Sequence, residues 1–207
     1  LLYNVTECSV PCTIFDSIFE SAQQFRFSRL RTLSMSLSQR FPEPGFDEEA
    51  EDELVDSITN NTKADLQGIE AVVSFLSLAS SHVEELRLHW YNTSSYPPSE
   101  TDVLSRGWFD QVSEKATFNN LQSLTLRGLH VSQPPLLKLL MSLLLQTVHL
   151  EFIRLNGSLR LILDCLTSPH RPLTQFYLDD IYEEKLVHFF VPGKAKFPYS
   201  GRVPGPS

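Results

Sequence analysis

A nine-residue pattern, L-x-x-L-x-L-x-x-L, occurs three times in the second half of the chain, with Leu, Ile, Val or Phe at its apolar positions. The copies start at Leu121, Leu145 and Leu173, so successive starts are 24 and 28 residues apart. In the centre of each copy apolar and polar residues alternate, which is typical of a strand with one buried face. Each unit is therefore predicted to be one short strand followed by one helix.

This pattern and this period are those of a leucine-rich repeat, whose units bury their apolar faces only by stacking on their neighbours. Two more divergent copies begin at Leu30 and Val83. We therefore predict an α/β fold, a curved leucine-rich-repeat-like solenoid with a parallel sheet on the concave face and helices on the convex face. The predicted strands are 30–35, 83–88, 121–126, 145–150 and 173–178.

The first three starts are widely spaced, with gaps of 53 residues from Leu30 to Val83 and 38 from Val83 to Leu121. We interpret the excess as loop insertions, which solenoids tolerate, although the first gap also leaves room for a missed unit. Prolines and a dense acidic run near 41–61 predict such a solvated insertion, with an acidic interaction patch as the alternative. The predicted organisation is an irregular leucine-rich-repeat domain over 1–191 and a Pro/Gly-rich tail over 192–207.

Helices are predicted between the strands from apolar spacing and from capping signals. Thr13 precedes an apolar stripe over 13–24, and a capping-box-like start at Thr62 opens a helix that runs to about residue 79. A further helix is expected to end near Leu166. The other predicted starts lie near Ser99, Trp108, Ser132 and Ser158.

Composition excludes several classes of function. The formal net charge is −8, whereas a protein that binds nucleic acid normally carries a basic stripe, so no nucleic-acid partner is expected. The longest apolar run, 136–145, is too short to cross a membrane. The chain begins Leu1-Leu2-Tyr3 without a charged leader, so we expect a piece of a longer intracellular protein, cytoplasmic or nuclear.

The cysteines predict neither a disulfide scaffold nor a metal site. Cys8 and Cys12 lie four residues apart and Cys165 is far from both, and no second pair has metal-ligand spacing. No metal and no cofactor are therefore predicted. Four N-glycosylation triplets are interpreted as incidental because no leader precedes them; they begin at Asn4, Asn60, Asn92 and Asn156.

Alternate side chains of a strand point to opposite faces of its sheet. The fourth and sixth positions of each unit are predicted to face the core, and the third, fifth and seventh to face the open, concave side. Arg127 and Glu151 should lie side by side there, because neighbouring strands are about 4.8 Å apart. Large aromatic residues and arginine are favoured at interfaces, so we predict that a partner binds Arg87, His89, Trp90, Arg127, His149, Glu151, Tyr177 and Asp179. The alternative is that this face is merely solvated.

Catalytic function finds little support in the sequence. The chain contains no G-x-S-x-G, no P-loop and no G-x-G-x-x-G. His149 and Glu151 share a predicted face and could form an acid–base pair, but charged pairs on an exposed sheet are more often structural. We therefore predict a binding protein and not an enzyme, with no catalytic residues.

Beyond the repeat pattern, several runs point to a family, among them Val-Glu-Glu-Leu-Arg-Leu-His-Trp-Tyr at 83–91 and the tail segments 185–189 and 196–201. Together with 121–129, 163–166 and 178–180, they resemble the C-terminal repeat region of fungal F-box proteins over residues 62–207. In that family an N-terminal F-box docks to a Skp–cullin ubiquitin ligase, and the repeats recruit the substrate. The resemblance implies a protein–protein interaction module that recruits a protein substrate.

The chain departs from that family in two ways. Only one predicted helix, 13–24, precedes the first strand, so no F-box helix triplet is found, and a ligase adaptor is implied only if an F-box lies upstream. The alternative is a stand-alone repeat scaffold, or a truncated fragment without a ligase role. The ninth repeat position holds Leu129, Ile153 and Ile181 in place of the usual Asn or Cys, so the bending backbone must find other hydrogen-bond partners.

Overall fold

The computed structural model describes residues 10–11, 30–38, 67–91, 107–141, 144–183 and 185–187. The predicted helix 13–24, the insertion near 41–61, the helix start at Ser99 and the tail 192–207 lie outside these residues. In chain order the elements are β1 (Val10–Pro11), β2 (Thr32–Ser38), α1 (67–79), β3 (Glu85–Tyr91), α2 (Trp108–Lys115), β4 (Ser123–Arg127), β5 (His130–Ser132), α3 (Gln133–Leu140), β6 (Thr147–Asn156), α4 (Leu159–Leu166) and β7 (Gln175–Tyr182).

All the described strands belong to one parallel sheet, which confirms the predicted α/β class with a parallel sheet. β4 and β5 pair with one edge of β6, and β7 pairs with it as well. The repeat pattern sets the register, because the fourth positions of the five predicted units align as Leu33, Leu86, Leu124, Val148 and Phe176. β2 pairs directly with β3, so no strand of a missed unit lies between them. The two-residue β1, which pairs with β2, was not predicted.

The strands of the five predicted units begin two residues later than predicted, because the first two positions of each unit form the approach to the strand. The carbonyl of Gln122, at a second position, accepts hydrogen bonds from the N–H groups of Gln146 (2.8 Å) and Thr147 (3.0 Å). The same paired bonds recur at the carbonyls of Arg31, Glu84 and Gln146. This repetition shows that the five units are structurally equivalent at their strand starts.

A left-handed backbone conformation recurs at the eighth position of the last three units. The φ angles of Gly128, Phe152 and Asp180 are +73°, +52° and +48°. The bend is held by neighbouring backbone: the Gly128 N–H donates to the Glu151 carbonyl at 3.0 Å, and the Arg154 N–H donates to the Leu129 carbonyl at 2.9 Å. The ninth positions, Leu129, Ile153 and Ile181, are buried, so these units pack the core where other repeat families bond the turning backbone.

The helices pack against one face of the sheet and enclose the core. The observed α2 begins at Trp108, as predicted, and α3 begins directly after Ser132, with Pro134 and Pro135 in its first turn. α2 packs on α3, and α3 packs on α4. The buried core includes Leu86, Leu88, Leu124, Leu126, Val148 and Leu150 from the strands and Val73, Phe75, Leu76, Phe109, Val112 and Ile162 from the helices.

Backbone N–H groups at the starts of α3 and α4 donate hydrogen bonds to side chains of other units. Neither Ser132 nor Ser158 makes a side-chain capping bond, although each stands at the N-cap. The Ser132 N–H donates to Asp110 Oδ1 at 3.1 Å, and the Leu159 N–H donates to Glu183 Oε1 at 2.7 Å. These carboxylates satisfy backbone donors that would otherwise lack a partner.

Two of the apolar side chains of β7 are less buried than those of β2 to β6 that face the core. Phe176, aligned with the buried Val148, is 42% exposed, and Leu178 is only partly buried. Among the described residues no helix follows β7, and none of them forms a further unit that covers this strand. The prediction that Leu124, Val148 and Phe176 share one sheet is confirmed, but the complete burial expected of a fourth position is absent in the last unit.

Candidate protein-binding surface

The side of the sheet opposite the core carries most of the predicted partner-binding residues. Strand register places the fifth and seventh positions of neighbouring units in two rows across β3, β4, β6 and β7. We call this surface the open face. Its fifth-position row is Arg87, Thr125, His149 and Tyr177, and its seventh-position row is His89, Arg127, Glu151 and Asp179.

The predicted placement of Trp90 on this surface is wrong. Trp90 alternates in step with Leu86 and Leu88, so its side chain shares their face and points into the core. It is only 5% exposed, and its ring centroid lies 5.5 Å from that of Trp108. Tryptophan is a residue type that suggested an interface anchor, but the position of Trp90 along the strand determines that its side chain is buried.

Arg127 is held between two neighbours on the open face. Its Nη2 atom lies 3.4 Å from Glu151 Oε1, which confirms the predicted side-by-side pair. Its guanidinium carbon lies 5.4 Å from the centroid of the Phe152 ring, in the geometry of a cation–π contact. The salt bridge and the aromatic ring together orient the Arg127 side chain before any partner binds.

Phe152 is a residue of this surface that the sequence analysis did not predict. It is 43% exposed and has a φ of +52°, a conformation that bulky residues adopt only rarely. Alignment of the units contains the missing signal, because Phe152 stands where the other units have Gly128 and Asp180. An aromatic residue at a turn position that favours Gly or Asp is worth examining as a binding residue.

A chain of contacts continues from Glu151 to the end of the described sheet. Its Oε2 lies 3.5 Å from His149 Nε2, and the His149 ring lies edge-on to Tyr177 with the centroids 4.5 Å apart. The Tyr177 hydroxyl donates to Asp179 Oδ2 at 2.9 Å. This hydrogen bond, followed by partial burial and the nearby carboxylates, raises the pKa of Tyr177. From Arg127 to Asp179, the side chains form one connected network over three strands.

The other end of the open face carries an ion pair and a neutral imidazole. Arg87 donates through Nε to Glu85 Oε1 at 2.7 Å, within the same strand. Burial, and then the positive charge of Arg127, lowers the pKa of His89, so its imidazole is neutral at pH 7. The open face therefore has an arginine–glutamate pair and a neutral imidazole on β3, a guanidinium on β4 and carboxylates on β6 and β7.

The open face also contains the candidate acid–base pair, His149 and Glu151. His149 Nε2 lies 3.5 Å from Glu151 Oε2 but makes no hydrogen bond among the described residues, and the second oxygen of Glu151 is engaged by Arg127, as in a structural ion-pair network. Within the described residues, no group of three or more His, Cys, Asp and Glu could hold a metal ion. Cys165 on α4 is a free, partly buried thiol. None of the helices described is long and apolar enough to cross a membrane.

We expect Phe152→Gly to leave the unfolding free energy within about 1 kcal/mol of the parent, although it deletes an aromatic side chain. Glycine adopts a positive φ without strain, which offsets the loss of a half-exposed ring. Urea melts measure the difference. Phe109→Ala removes a fully buried ring and serves as the control, with an expected loss of about 3–5 kcal/mol. If Phe152→Gly were as destabilising as this control, Phe152 would be a core residue.

In comparisons with known proteins, no protein-family model, curated protein or solved structure matches the chain.

Proposed function

We propose that this chain is a protein–protein interaction module and that its open face binds the partner. The observation that carries the proposal is the connected network from Arg127 through Glu151, His149 and Tyr177 to Asp179. Arginine and tyrosine are enriched at interface hot spots. Side chains already held in place lose less conformational entropy when a partner binds.

We propose further that the sheet is the concave side of a curved solenoid. Neighbouring strands are about 4.8 Å apart, whereas packed helices need about 8–10 Å between their axes. Units with one strand and one helix therefore fan out on the helix side, which bends the sheet inwards. The in-register units and the helices on the opposite face support this arrangement. A concave face would surround a bound segment more fully than a flat one.

The resemblance to fungal F-box proteins suggests which partner class to test first. We propose that the module recruits a substrate to a ubiquitin ligase if an F-box lies upstream in the same protein. Sequencing the upstream reading frame tests this directly, and binding of the full-length product to the Skp subunit would support it. The second candidate is a repeat scaffold without a ligase role, which is favoured if the upstream frame encodes no F-box.

The combined variant Arg87→Ala, Arg127→Ala and Tyr177→Ala is expected to reduce partner capture from the source cell by more than about tenfold. The physical reason is that these side chains project from three different strands onto one face. Quantitative pull-down measures the effect, with circular dichroism and urea melts to verify folding. A matched control changes two cations and one half-exposed apolar residue of the helix layer, Lys115→Ala, Arg160→Ala and Leu161→Ala, and should bind as the parent does.

Two results would contradict the proposal. If a folded triple variant binds its partners as tightly as the parent, the open face is not the binding surface. If deletion of the acidic run 47–53 abolishes binding instead, the site lies on that insertion, since loops also carry function in such scaffolds.

A further inference from the structure

The last described strand of the open face presents an aromatic–carboxylate pair, Tyr177 and Asp179. Both side chains are exposed, and the hydrogen bond between them fixes their relative position at 2.9 Å. Ion pairs on this face engage Glu85 and Glu151. Among the described residues, no cationic side chain pairs with Asp179. The Tyr177–Asp179 pair therefore offers an aromatic ring and a carboxylate to a cation.

The chain itself shows what such a pair binds. One strand earlier, a carboxylate and an aromatic ring, Glu151 and Phe152, hold the guanidinium of Arg127 at 3.4 Å and 5.4 Å. The same two kinds of group stand on β7 as Tyr177 and Asp179. The arrangement on β4 and β6 is therefore an internal example of guanidinium recognition by an aromatic–carboxylate pair.

Charge in the sheet favours a cation at this position. Glu151 and Asp179 are direct register partners, and like charges placed opposite each other destabilise a sheet. The charge of Glu151 is offset by Arg127, whereas Asp179 is bonded, among the described residues, only by the Tyr177 hydroxyl and is followed by Asp180. A cation at Asp179 would offset this excess of negative charge. The net charge of the whole chain, −8, would also attract a basic partner over longer distances.

We propose that Tyr177 and Asp179 bind an arginine side chain of the protein partner. This inference rests on the proposed function and names the chemistry of the partner at one end of the open face. The Tyr177 ring offers a π surface to the guanidinium, and the carboxylate of Asp179 accepts its N–H groups. Arginine fits better than lysine because its planar fork stacks on a ring and bonds a carboxylate at the same time.

The test uses N-acetyl-arginine amide as the probe and N-acetyl-citrulline amide, its uncharged near-isostere, as the control ligand. Full-chain protein labelled with ¹⁵N is titrated with each, and amide shifts are followed. The expected result is saturable movement of the amides of residues 177–179 with the arginine probe and weaker binding of citrulline. Asp179→Asn should weaken arginine binding by about three- to fivefold. Asp164→Asn removes the same charge from the exposed side of α4 and should leave the affinity unchanged.

Asp179→Asn preserves an acceptor for the Tyr177 hydroxyl, so a loss of affinity in this variant reports on charge. Tyr177→Phe retains the ring and should bind arginine more tightly than Tyr177→Ala. Equal shifts with both ligands, or equal affinities of Asp179→Asn and Asp164→Asn, would overturn the inference.

The two proposals fail in different ways. If the triple variant loses its partner but arginine binding does not depend on Asp179, only the guanidinium site is wrong. If the folded triple variant retains its partner while Asp179→Asn still weakens arginine binding, the site exists but does not serve the proposed interface.

Discussion

Replacing Gly128 with alanine is expected to lower the unfolding free energy by about 2–4 kcal/mol. Two independent effects add at this position. The φ of +73° is a left-handed conformation that costs little only for glycine. In addition, a Cβ atom at Gly128 would lie 2.1 Å from the Trp90 carbonyl oxygen, far inside van der Waals contact, and that oxygen belongs to rigid backbone. Urea melts followed by tryptophan emission measure the loss, since Trp90 and Trp108 are both buried.

Gly107→Ala separates the two effects. Gly107 has a φ of +87°, but nothing lies within 4 Å of the position its Cβ would take. This control should therefore show only the conformational cost, about 1–2 kcal/mol. Equal losses in the two variants would mean that the Trp90 carbonyl does not approach Gly128 as closely as described.

Leu150→Ala should destabilise the protein by about 2–5 kcal/mol, through lost burial and the cavity left behind. Leu150 is 1% exposed and stands in register between Leu126 on β4 and Leu178 on β7. Its environment is built by residues of neighbouring units, so truncation weakens the stacking that holds the units together. Chemical denaturation measures the change, and Leu126→Ala should behave alike because Leu126 is also buried.

Leu161→Ala removes the same atoms from a side chain that is 49% exposed on α4. Its expected cost is about 1 kcal/mol or less, because much of the surface was never withdrawn from water. An unfolding midpoint for Leu150→Ala that matched the parent within error would show that Leu150 is not in the core.

The strained conformation of Phe152 lies next to the ion pair of Arg127 and Glu151, and this coincidence has a physical interpretation. A residue that breaks a local backbone rule persists only when the surrounding structure compensates. Here the ring supports Arg127, whose guanidinium lies over it, on the face proposed to bind a partner. The aromatic ring at this turn position therefore orients Arg127 rather than filling the core, since Phe152 is 43% exposed.

Much of the fold could be predicted because the same apolar pattern recurs in several units, and each of these units forms the same kind of strand. Alignment of Leu124 with Val148, and of Leu126 with Leu150, follows from the shared pattern. The strands begin two residues later than predicted, because residues at the start of each unit bond the preceding unit through backbone N–H groups. The pattern of apolar side chains carries no information about these backbone bonds. Alternation along strands likewise predicted the face of Arg127 and Glu151, and Trp90 was misplaced only where residue type was preferred to alternation.

The sequence by itself determined which side chains share a face, because the two-residue period of a strand is local and survives any stacking. Only the tertiary structure decided which of them touch. The contact of Arg127 with Phe152 depends on a left-handed bend, and the contact of His149 with Tyr177 depends on the pairing of β6 with β7. The tertiary structure also decided burial at the end of the sheet, where Phe176 carries a core pattern but is exposed. Burial depends on neighbouring units as well as on the pattern of a single unit, since a stacked repeat is covered only by what packs against it.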